Sequence, residues 1–197
     1  MTLASVVSCV RIIFGPPFAF VLILQLLYPG KYPALEWYWS PFTMLILYLA
    51  FSLTDLFDGL LAKKFGKTRF GAWLDPFADK VLDWSYSAVF IFTVAWNSVF
   101  AFALLFILDV VSTAERTLGY KRADQNVDAN WWGKYKKTLH SAAIVAFLIT
   151  LVFYPESAQN VMKFWSAPTA VLGWLILWLA CWFSAQSCWN KLEQWKK

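Results

Sequence analysis

The sequence predicts an all-α integral membrane protein built as a six-transmembrane-helix bundle. Of its 197 residues, 60% are hydrophobic and only 15% are charged, whereas soluble domains carry about 25% charged residues. The apolar residues occur in blocks about 20 residues long, the length that an α-helix needs to cross roughly 30 Å of hydrocarbon. The composition therefore argues against a soluble globular protein, and we expect residues 1–197 to form a single membrane domain.

Six apolar blocks define the predicted spans. Lipid offers no hydrogen-bonding partner to the backbone, so apolar segments of this length are expected to be helical throughout. Arg11 and the pair Pro16-Pro17 interrupt the first block, and no small-residue cleavage site follows it, so we predict a retained span rather than a secretion signal. In chain order, the spans are predicted at about residues 6–28, 40–62, 72–95, 97–118, 134–154 and 166–187.

The cationic residues are divided unequally between the two sides of this bundle. The first, third and fifth predicted loops contain only Lys31 and Lys163, whereas fifteen of the 17 Lys and Arg residues fall on the opposite side. The positive-inside rule assigns the cation-rich side to the cytoplasm. We therefore expect both termini to be cytoplasmic.

The three cysteines lie inside apolar blocks. Cys9, Cys181 and Cys188 have neither the number of a disulfide scaffold nor the spacing of a zinc site. They are predicted to be small residues that contact lipid or the protein core.

The most informative anomaly is a group of acidic residues inside the apolar blocks. Asp55 and Asp58 lie in the second block, and Asp75, Asp79 and Asp83 lie in the third. An ionised carboxylate facing lipid costs roughly 2.5–3.5 kcal/mol on insertion scales, so these side chains must face the interior of the bundle. On a helix, residues spaced i,i+3 or i,i+4 project from one face. Because the connection between the two spans is short, four carboxylates are expected to converge in a polar active-site cavity that faces the cytoplasm.

Four carboxylates at one site repel one another unless cations lie among them. Oxygen ligands suit a hard divalent ion, Mg²⁺, Mn²⁺ or Ca²⁺, and no nearby His or Cys indicates zinc. The alternative is a structural network in which Lys63, Lys80 and neighbouring cations neutralise the carboxylates. Gly59 and Gly71 accompany the two acidic pairs and would let a substrate approach the backbone closely, which favours a binding site.

The spacing of these residues resembles a known sequence signature. Residues 55–79 read D-L-F-D-G-L-L-A-K, seven further residues, and G-A-W-L-D-P-F-A-D. This pattern resembles the signature of the CDP-alcohol phosphatidyltransferases, D-x-x-D-G-x-x-A-R followed by G-x-x-x-D-x-x-x-D. The segment from Thr68 to Lys80 is most similar to the bacterial phosphatidylglycerophosphate synthases, as are Arg11-Ile12 with Pro16 and the G-K-Y-K of residues 133–136.

The resemblance implies an enzyme that transfers a phosphatidyl group from CDP-diacylglycerol to a small alcohol and releases CMP. It implies two Mg²⁺ or Mn²⁺ ions held by Asp55, Asp58, Asp75 and Asp79. It also implies that Asp79 is the general base that accepts the alcohol proton. Membrane lipids and a second copy of the chain in a homodimer are expected as partners in a bacterial inner membrane, and nucleic acid is not.

The implied CDP-diacylglycerol site consists of Gly59, Ala62, Lys63 and Gly71. Lys63 stands where the family has arginine, so the charge is kept but the bidentate fork that suits phosphate is lost. The gap from Lys63 to Gly71 is also one residue shorter than in most members. These two departures leave the four carboxylates intact.

The acceptor alcohol is the least defined part of the assignment. Arg116, Lys134 and Lys136, at the cytoplasmic ends of spans four and five, could bind the phosphate of glycerol 3-phosphate, although positive-inside bias explains them equally well. Leu108-Asp109 stands where these synthases usually have Arg-Glu, and L-D-V-V-S (residues 108–112) is similar to inositol-type members. Glycerol 3-phosphate is favoured, while inositol or another acceptor, as in phosphatidylinositol-type or cardiolipin-type synthases, stays open.

Buried carboxylates also mark ion pathways, so a small ion-coupled transporter is the alternative from another functional class. It is disfavoured because the acids cluster toward one leaflet and the two halves are dissimilar. An inactive family member that acts as a partner subunit is disfavoured by the four intact carboxylates. Of the remaining polar residues, His140 is expected to be hydrogen-bonded in the core, and Asp83 to pair with a cation or polar group rather than a metal.

Overall fold

The computed structural model is all-helical in the residues that it describes. It describes the backbone of residues 3–28, 31, 40–65, 69–93, 99–123, 131–154 and 161–195, and their side chains except at 3–7, 55–65, 69–76, 113–123, 161 and 191–195. Seven helices account for nearly all of these residues. They are α1 (Leu3–Leu27), α2 (Pro41–Phe65), α3 (Arg69–Phe92), α4 (Val99–Ala123), α5 (Trp131–Phe153), α6 (Val161–Ser166) and α7 (Pro168–Trp195).

Each predicted span corresponds to one long helix, and the short α6 directly precedes α7. Several helices continue beyond the predicted span into charged sequence, as α2 does to Phe65 and α4 does to Ala123. These extensions lie on the side that the sequence predicts to be cytoplasmic. Because Leu, Ala, Lys and Arg all favour helix, the end of an apolar block does not end the helix.

Three helices in the described part of the chain are long and apolar enough to cross a membrane. The corresponding segments are Ser8–Leu27 in α1, Trp131–Phe153 in α5 and Pro168–Asn190 in α7. The apolar stretches of α2 and α4, Pro41–Thr54 and Val99–Ser112, are shorter. The protein is therefore an integral membrane protein, and the part of the chain that the structure describes folds as helices.

The helices pack in two groups that meet at α5. Helix α1 packs extensively against α3 and also against α2, whereas α7 packs against α5 and α4. Helix α5 contacts α2 and α3 as well, so it joins the two groups. Gly15 allows α1 to approach α3 closely, because a Cβ at this position would lie 3.0 Å from Cδ1 of Leu82.

The apolar centre of the bundle is built around Phe147 of α5, which is fully buried. Its ring centroid lies 5.1 Å from that of Phe90, 6.3 Å from that of Phe102 and 5.8 Å from that of Phe164. Gly173 of α7 lies against the same ring, where a Cβ would come within 2.9 Å of Cε1. Since lipid is as apolar as these side chains, close packing of this kind is what holds helices together in a membrane.

The cysteines have the surroundings that the sequence predicts. Cys181 and Cys188 are buried, Cys9 is partly exposed, and all three are free thiols. The thiols on α7 donate to backbone carbonyls of α4, from Cys181 to Ala101 at 3.3 Å and from Cys188 to Leu108 at 3.6 Å.

Candidate active site

A cavity of about 140 Å³ lies where α3, α4 and α5 meet. The described residues that line it are nearly all polar or charged, in contrast to the apolar core around Phe147. They are Asp79, Lys80, Asp83 and Trp84 of α3, Asp109 and Ser112 of α4, and Gly133, Lys136, Lys137 and His140 of α5. A pocket with convergent charged groups is the expected position of a binding or catalytic site.

Asp79 is held at this cavity by cations from two other helices. Nη1 of Arg11 in α1 donates to Oδ1 of Asp79 at 2.9 Å, and the ammonium group of Lys137 in α5 pairs with Oδ2. The Asp79 side chain is 15% exposed, so it is accessible from the cavity while both of its oxygens are oriented.

Arg11 reaches Asp79 from inside the first helix. Its side chain is only 1% exposed, and its Nε donates to Oγ1 of Thr54 in α2 at 3.0 Å. An arginine within a membrane span is costly unless it is paired. Here it connects α1, α2 and α3 around one carboxylate.

A second ion pair connects α4 and α5 at the cavity. The ammonium group of Lys136 pairs with Oδ1 of Asp109, and Nε1 of Trp84 donates to Oδ2 at 3.3 Å. Both charged side chains are largely buried, at 13% and 10% exposure. Lys136, one of the three cations predicted to bind the acceptor phosphate, therefore lies at the cavity with its charge already balanced.

Asp83 and His140 have the polar partners that the sequence predicts for them. The hydroxyl of Tyr48 in α2 donates to Oδ1 of Asp83 at 2.7 Å, and the hydroxyl of Ser141 lies 3.4 Å from each carboxylate oxygen. Oγ of Ser87 lies 2.9 Å from Nε2 of His140 and donates to the Asp83 carbonyl. Because the single hydroxyl proton of Ser87 is used on that carbonyl, Ser87 accepts its second hydrogen bond from the His140 ring.

The structure describes the side chains of three residues predicted for the site. Asp79 and Lys136 line the cavity. Lys134 is exposed, with its ammonium group 5.7 Å from the ring centroid of Trp131, and it is not among the described lining residues. The others occupy α2, α3 and α4, but their side chains lie outside the described residues: Asp55, Asp58, Gly59, Ala62, Lys63, Gly71, Asp75 and Arg116.

The sequence predicts no role at the site for Lys137 or Asp109, although both lie at the cavity. A signal exists for Lys137, because it precedes Ser141 by one helical turn, just as Lys136 precedes His140, so each lysine shares a face with a polar residue inside the predicted span. For Asp109, the signal is its position inside the fourth apolar block, where a carboxylate needs a polar or charged partner. Its contact with Lys136 depends on which helices adjoin, and spacing along one helix does not report that.

The donor chemistry at the cavity fits a hard divalent ion. No group of three His, Cys, Asp or Glu side chains suited to a metal occurs among the described residues, and three of the four predicted ligands lie outside them. Asp79 contributes carboxylate oxygens, which Mg²⁺ and Mn²⁺ prefer. The imidazole at the cavity, His140, is hydrogen-bonded to Ser87, so zinc is not favoured.

Comparison with known proteins identifies relatives along nearly the whole chain. The family model described as CDP-alcohol phosphatidyltransferase matches residues 1–186. A Blochmanniella floridana protein named CDP-diacylglycerol–glycerol-3-phosphate 3-phosphatidyltransferase is 26% identical over 178 residues, which cover 87% of this chain and 90% of that protein. Proteins of the same name from Haemophilus influenzae and Escherichia coli are 29% and 32% identical over 134 and 117 residues. These matches cover 65% and 56% of this chain, and 71% and 62% of the two relatives.

Proposed function

Because the chain belongs to the CDP-alcohol phosphatidyltransferase family, we propose that it transfers the phosphatidyl group of CDP-diacylglycerol to glycerol 3-phosphate, giving phosphatidylglycerophosphate and CMP. The position of Asp79 carries this proposal, because the last carboxylate of the family signature lies at a polar cavity between two cations. The relatives named for this reaction support the choice of acceptor.

Asp79 is the proposed general base. In the transfer, the acceptor hydroxyl oxygen bonds to the phosphorus of the phosphatidyl group, the bond from that phosphorus to CMP breaks, and a carboxylate oxygen of Asp79 accepts the hydroxyl proton. A general base must lie within hydrogen-bond reach of the proton that it takes. The ion pairs with Arg11 and Lys137 support this role, since they hold the carboxylate in one orientation.

Asp55, Asp58, Asp75 and Asp79 are proposed to hold two Mg²⁺ or Mn²⁺ ions. When bound, such ions would neutralise the pyrophosphate and polarise the phosphorus under attack. The oxygen donors of Asp79 and the engagement of His140 by Ser87 support a hard ion at this site.

The substrates are proposed to meet at the cavity from two sides. Residues 59–71, through Gly59, Ala62, Lys63 and Gly71, would receive the cytidine diphosphate of CDP-diacylglycerol, whose acyl tails remain in the lipid. Arg116, Lys134 and Lys136 are the proposed cations for the acceptor phosphate. Lys136 has the strongest support of the three, because its ammonium group lies at the cavity.

The long helices are proposed to cross the membrane six times in a bacterial inner membrane, with both termini and the active site on the cytoplasmic side. The excess of cations on that side supports this orientation. We further propose that the active protein is a homodimer among membrane lipids.

The pairing of Lys136 with Asp109 favours a second candidate acceptor. A phosphorylated acceptor needs unbalanced positive charge, and Asp109 offsets the charge of Lys136. An uncharged polyol such as inositol would not need that charge, and it could hydrogen-bond to both groups of the pair. The second candidate is therefore the same transfer with inositol as acceptor.

One assay tests the reaction, the metal and the acceptor. Purified protein in detergent is given CDP-diacylglycerol and Mg²⁺ with glycerol 3-phosphate, inositol, inositol phosphate, serine or phosphatidylglycerol, and both CMP and the lipid product are measured. We expect CMP and phosphatidylglycerophosphate only with glycerol 3-phosphate and only until excess EDTA is added. Undiminished turnover in EDTA would contradict the metal role. A different lipid would reassign the acceptor, and no CMP with any acceptor would contradict the transfer itself.

A further inference from the structure

The guanidinium group of Arg11 holds two different helices at once. Nη1 donates to Oδ1 of Asp79 in α3 at 2.9 Å, and Nε donates to Oγ1 of Thr54 in α2 at 3.0 Å. The guanidinium group is planar and rigid, so the direction of one hydrogen bond restricts the direction of the other. Thr54 directly precedes the signature of residues 55–79, and that signature assigns it no role.

The hydroxyl of Thr54 has a fixed direction. Its Oγ1 donates to the backbone carbonyl of Phe51 in the same helix at 2.6 Å. A hydroxyl has one proton and two lone pairs, so the proton is used within α2 and a lone pair is presented to Nε of Arg11. Thr54 therefore accepts from Arg11 in a geometry set by its own helix.

We propose that Thr54 is a positioning residue for the transfer reaction: it anchors the guanidinium group of Arg11, which in turn orients the carboxylate of Asp79. We call these three residues the anchor chain. The proposal rests on the proposed function, because Asp79 must act on the acceptor for its orientation to affect turnover. Thr54 acts only through Arg11.

Charge balance alone does not require this arrangement. Lys137 already places an ammonium group on Oδ2 of Asp79, and a lysine at position 11 would supply a second positive charge without a directed Nε contact. The backbones of α1 and α3 are also close here, since Gly15 lies one turn beyond Arg11 and against Leu82. The side chain of Arg11 therefore bridges a short distance between closely packed helices, and its contact with Thr54 fixes the orientation of that bridge.

The decisive variant is Thr54→Val, which keeps the shape of the side chain and removes the acceptor for Arg11. We expect kcat to fall about tenfold, the lower end of the effects seen when outer-shell partners are removed. KM for both substrates should change less than about twofold, because no binding group is lost. Thr54→Ser retains the hydroxyl and should restore kcat to within about twofold of wild type.

A matched control is available at Thr93. Thr93 directly follows the last residue of α3, and its hydroxyl also donates to a backbone carbonyl one turn earlier, that of Val89 at 2.6 Å. Thr93→Val therefore removes the same kind of bond at the far end of α3, and we expect wild-type kcat. The thermal midpoint of each detergent-solubilised variant is measured to confirm that loss of folding does not explain loss of turnover.

Arg11→Lys tests the next link of the anchor chain. Lysine keeps the charge but has no Nε, so kcat should fall at least as far as in Thr54→Val. Adding Thr54→Val to Arg11→Lys should then cause no further loss. If Arg11→Lys does not fold, the three threonine variants decide the matter alone.

The outcomes separate the anchor chain from the proposed function. If the wild-type protein is active and Thr54→Val has the same kcat as Thr93→Val, the anchor chain is wrong and the transfer reaction stands. If the wild-type protein turns over no acceptor, the transfer proposal fails, and Mn²⁺ binding to substrate-free protein, followed by electron paramagnetic resonance, decides the anchor chain. Affinity weakened at least threefold in Thr54→Val relative to Thr93→Val would support it, and equal affinity would overturn it.

Discussion

Helix α5 passes through two buried regions of opposite character. At His140, which is 3% exposed, it contributes Lys136 and Lys137 to a cavity lined with carboxylates. At Phe147, about two helical turns further on, it is surrounded by aromatic rings and by Gly173. His140 and Phe147 are both buried, but charged groups surround the first and aromatic rings surround the second, so the two regions differ in their chemistry.

The difference separates residues that hold the bundle together from residues available for a reaction. The apolar region stabilises the fold by shape, because helices in lipid associate through close packing. The polar region contributes little to stability, because burying charges costs desolvation free energy. A buried ion pair is often no more stabilising than the apolar side chains that could replace it. Its charges are therefore best explained by a reaction, and variants in the two regions should affect different measurements.

The largest effect on turnover is expected from Asp79→Asn. The amide keeps the size of the side chain but cannot accept the acceptor proton, and general-base catalysis contributes about 10²–10⁴-fold. We expect kcat for CMP release to fall by that factor while CDP-diacylglycerol still binds. A variant that kept more than about a tenth of wild-type turnover would show that Asp79 is not the base.

Asp83→Asn is the matched control for this change. Asp83 lies one turn beyond Asp79 on the same helix, but its carboxylate contacts hydroxyl groups of Tyr48 and Ser141. An amide oxygen can still accept from Tyr48, so turnover should stay within about tenfold of wild type. Equal losses of turnover in Asp79→Asn and Asp83→Asn would contradict a specific role for Asp79 as the general base.

In the apolar region, the largest effect on stability is expected from Phe147→Ala. Removing a buried phenylalanine from a soluble core costs about 3–5 kcal/mol, and the cost here should be smaller because lipid replaces water in the unfolded reference state. The thermal midpoint should fall, while kcat per folded molecule is kept. The control is Phe153→Ala on the same helix, where the side chain is 72% exposed and little stability should be lost.

Much of the fold was accessible from the sequence because lipid imposes strong constraints. Apolar blocks of span length must be helical, and polar residues inside them must have partners. The second rule predicts the polar contacts of Asp83 and His140 as well as the inward position of Asp79. These conclusions follow from each residue and its immediate neighbours along one helix.

The contacts between helices could not be predicted in the same way. The pairs Arg11–Asp79 and Lys136–Asp109 join residues 68 and 27 positions apart, and their formation depends on which helices adjoin and at what rotation. Positive-inside bias also explains every lysine on the predicted cytoplasmic side in the same way. The sequence therefore gives the same prediction for Lys134 and Lys136. Of these two lysines, the structure places Lys136, and not Lys134, among the described residues that line the cavity.

A smaller loss of stability is expected from Gly173→Ala. The new Cβ would lie 2.9 Å from Cε1 and 3.0 Å from Cδ1 of Phe147, so α5 and α7 must separate or the ring must move. Overpacking of this kind costs about 1–3 kcal/mol, which a lower thermal midpoint should report. Phe147→Leu in the same chain should relieve part of the loss. If the double variant lost the sum of the two single losses, the contact would not be the cause.

The smallest effect is expected from Lys134→Met. Lys134 is exposed beside Trp131, and an exposed charge contributes only about 0–1 kcal/mol to an ionic contact, so KM for glycerol 3-phosphate should rise less than about fivefold. Lys136→Met is the comparison, because a largely buried ammonium group at the cavity can contribute about 1.5–3 kcal/mol to a bound phosphate, or roughly 10–150-fold in KM. KM for CDP-diacylglycerol should stay constant in both variants.

Equal rises in acceptor KM would mean that the phosphate lies between the two lysines and extends out of the cavity. No rise in either variant would favour the uncharged acceptor, for which the Lys136–Asp109 pair is already balanced.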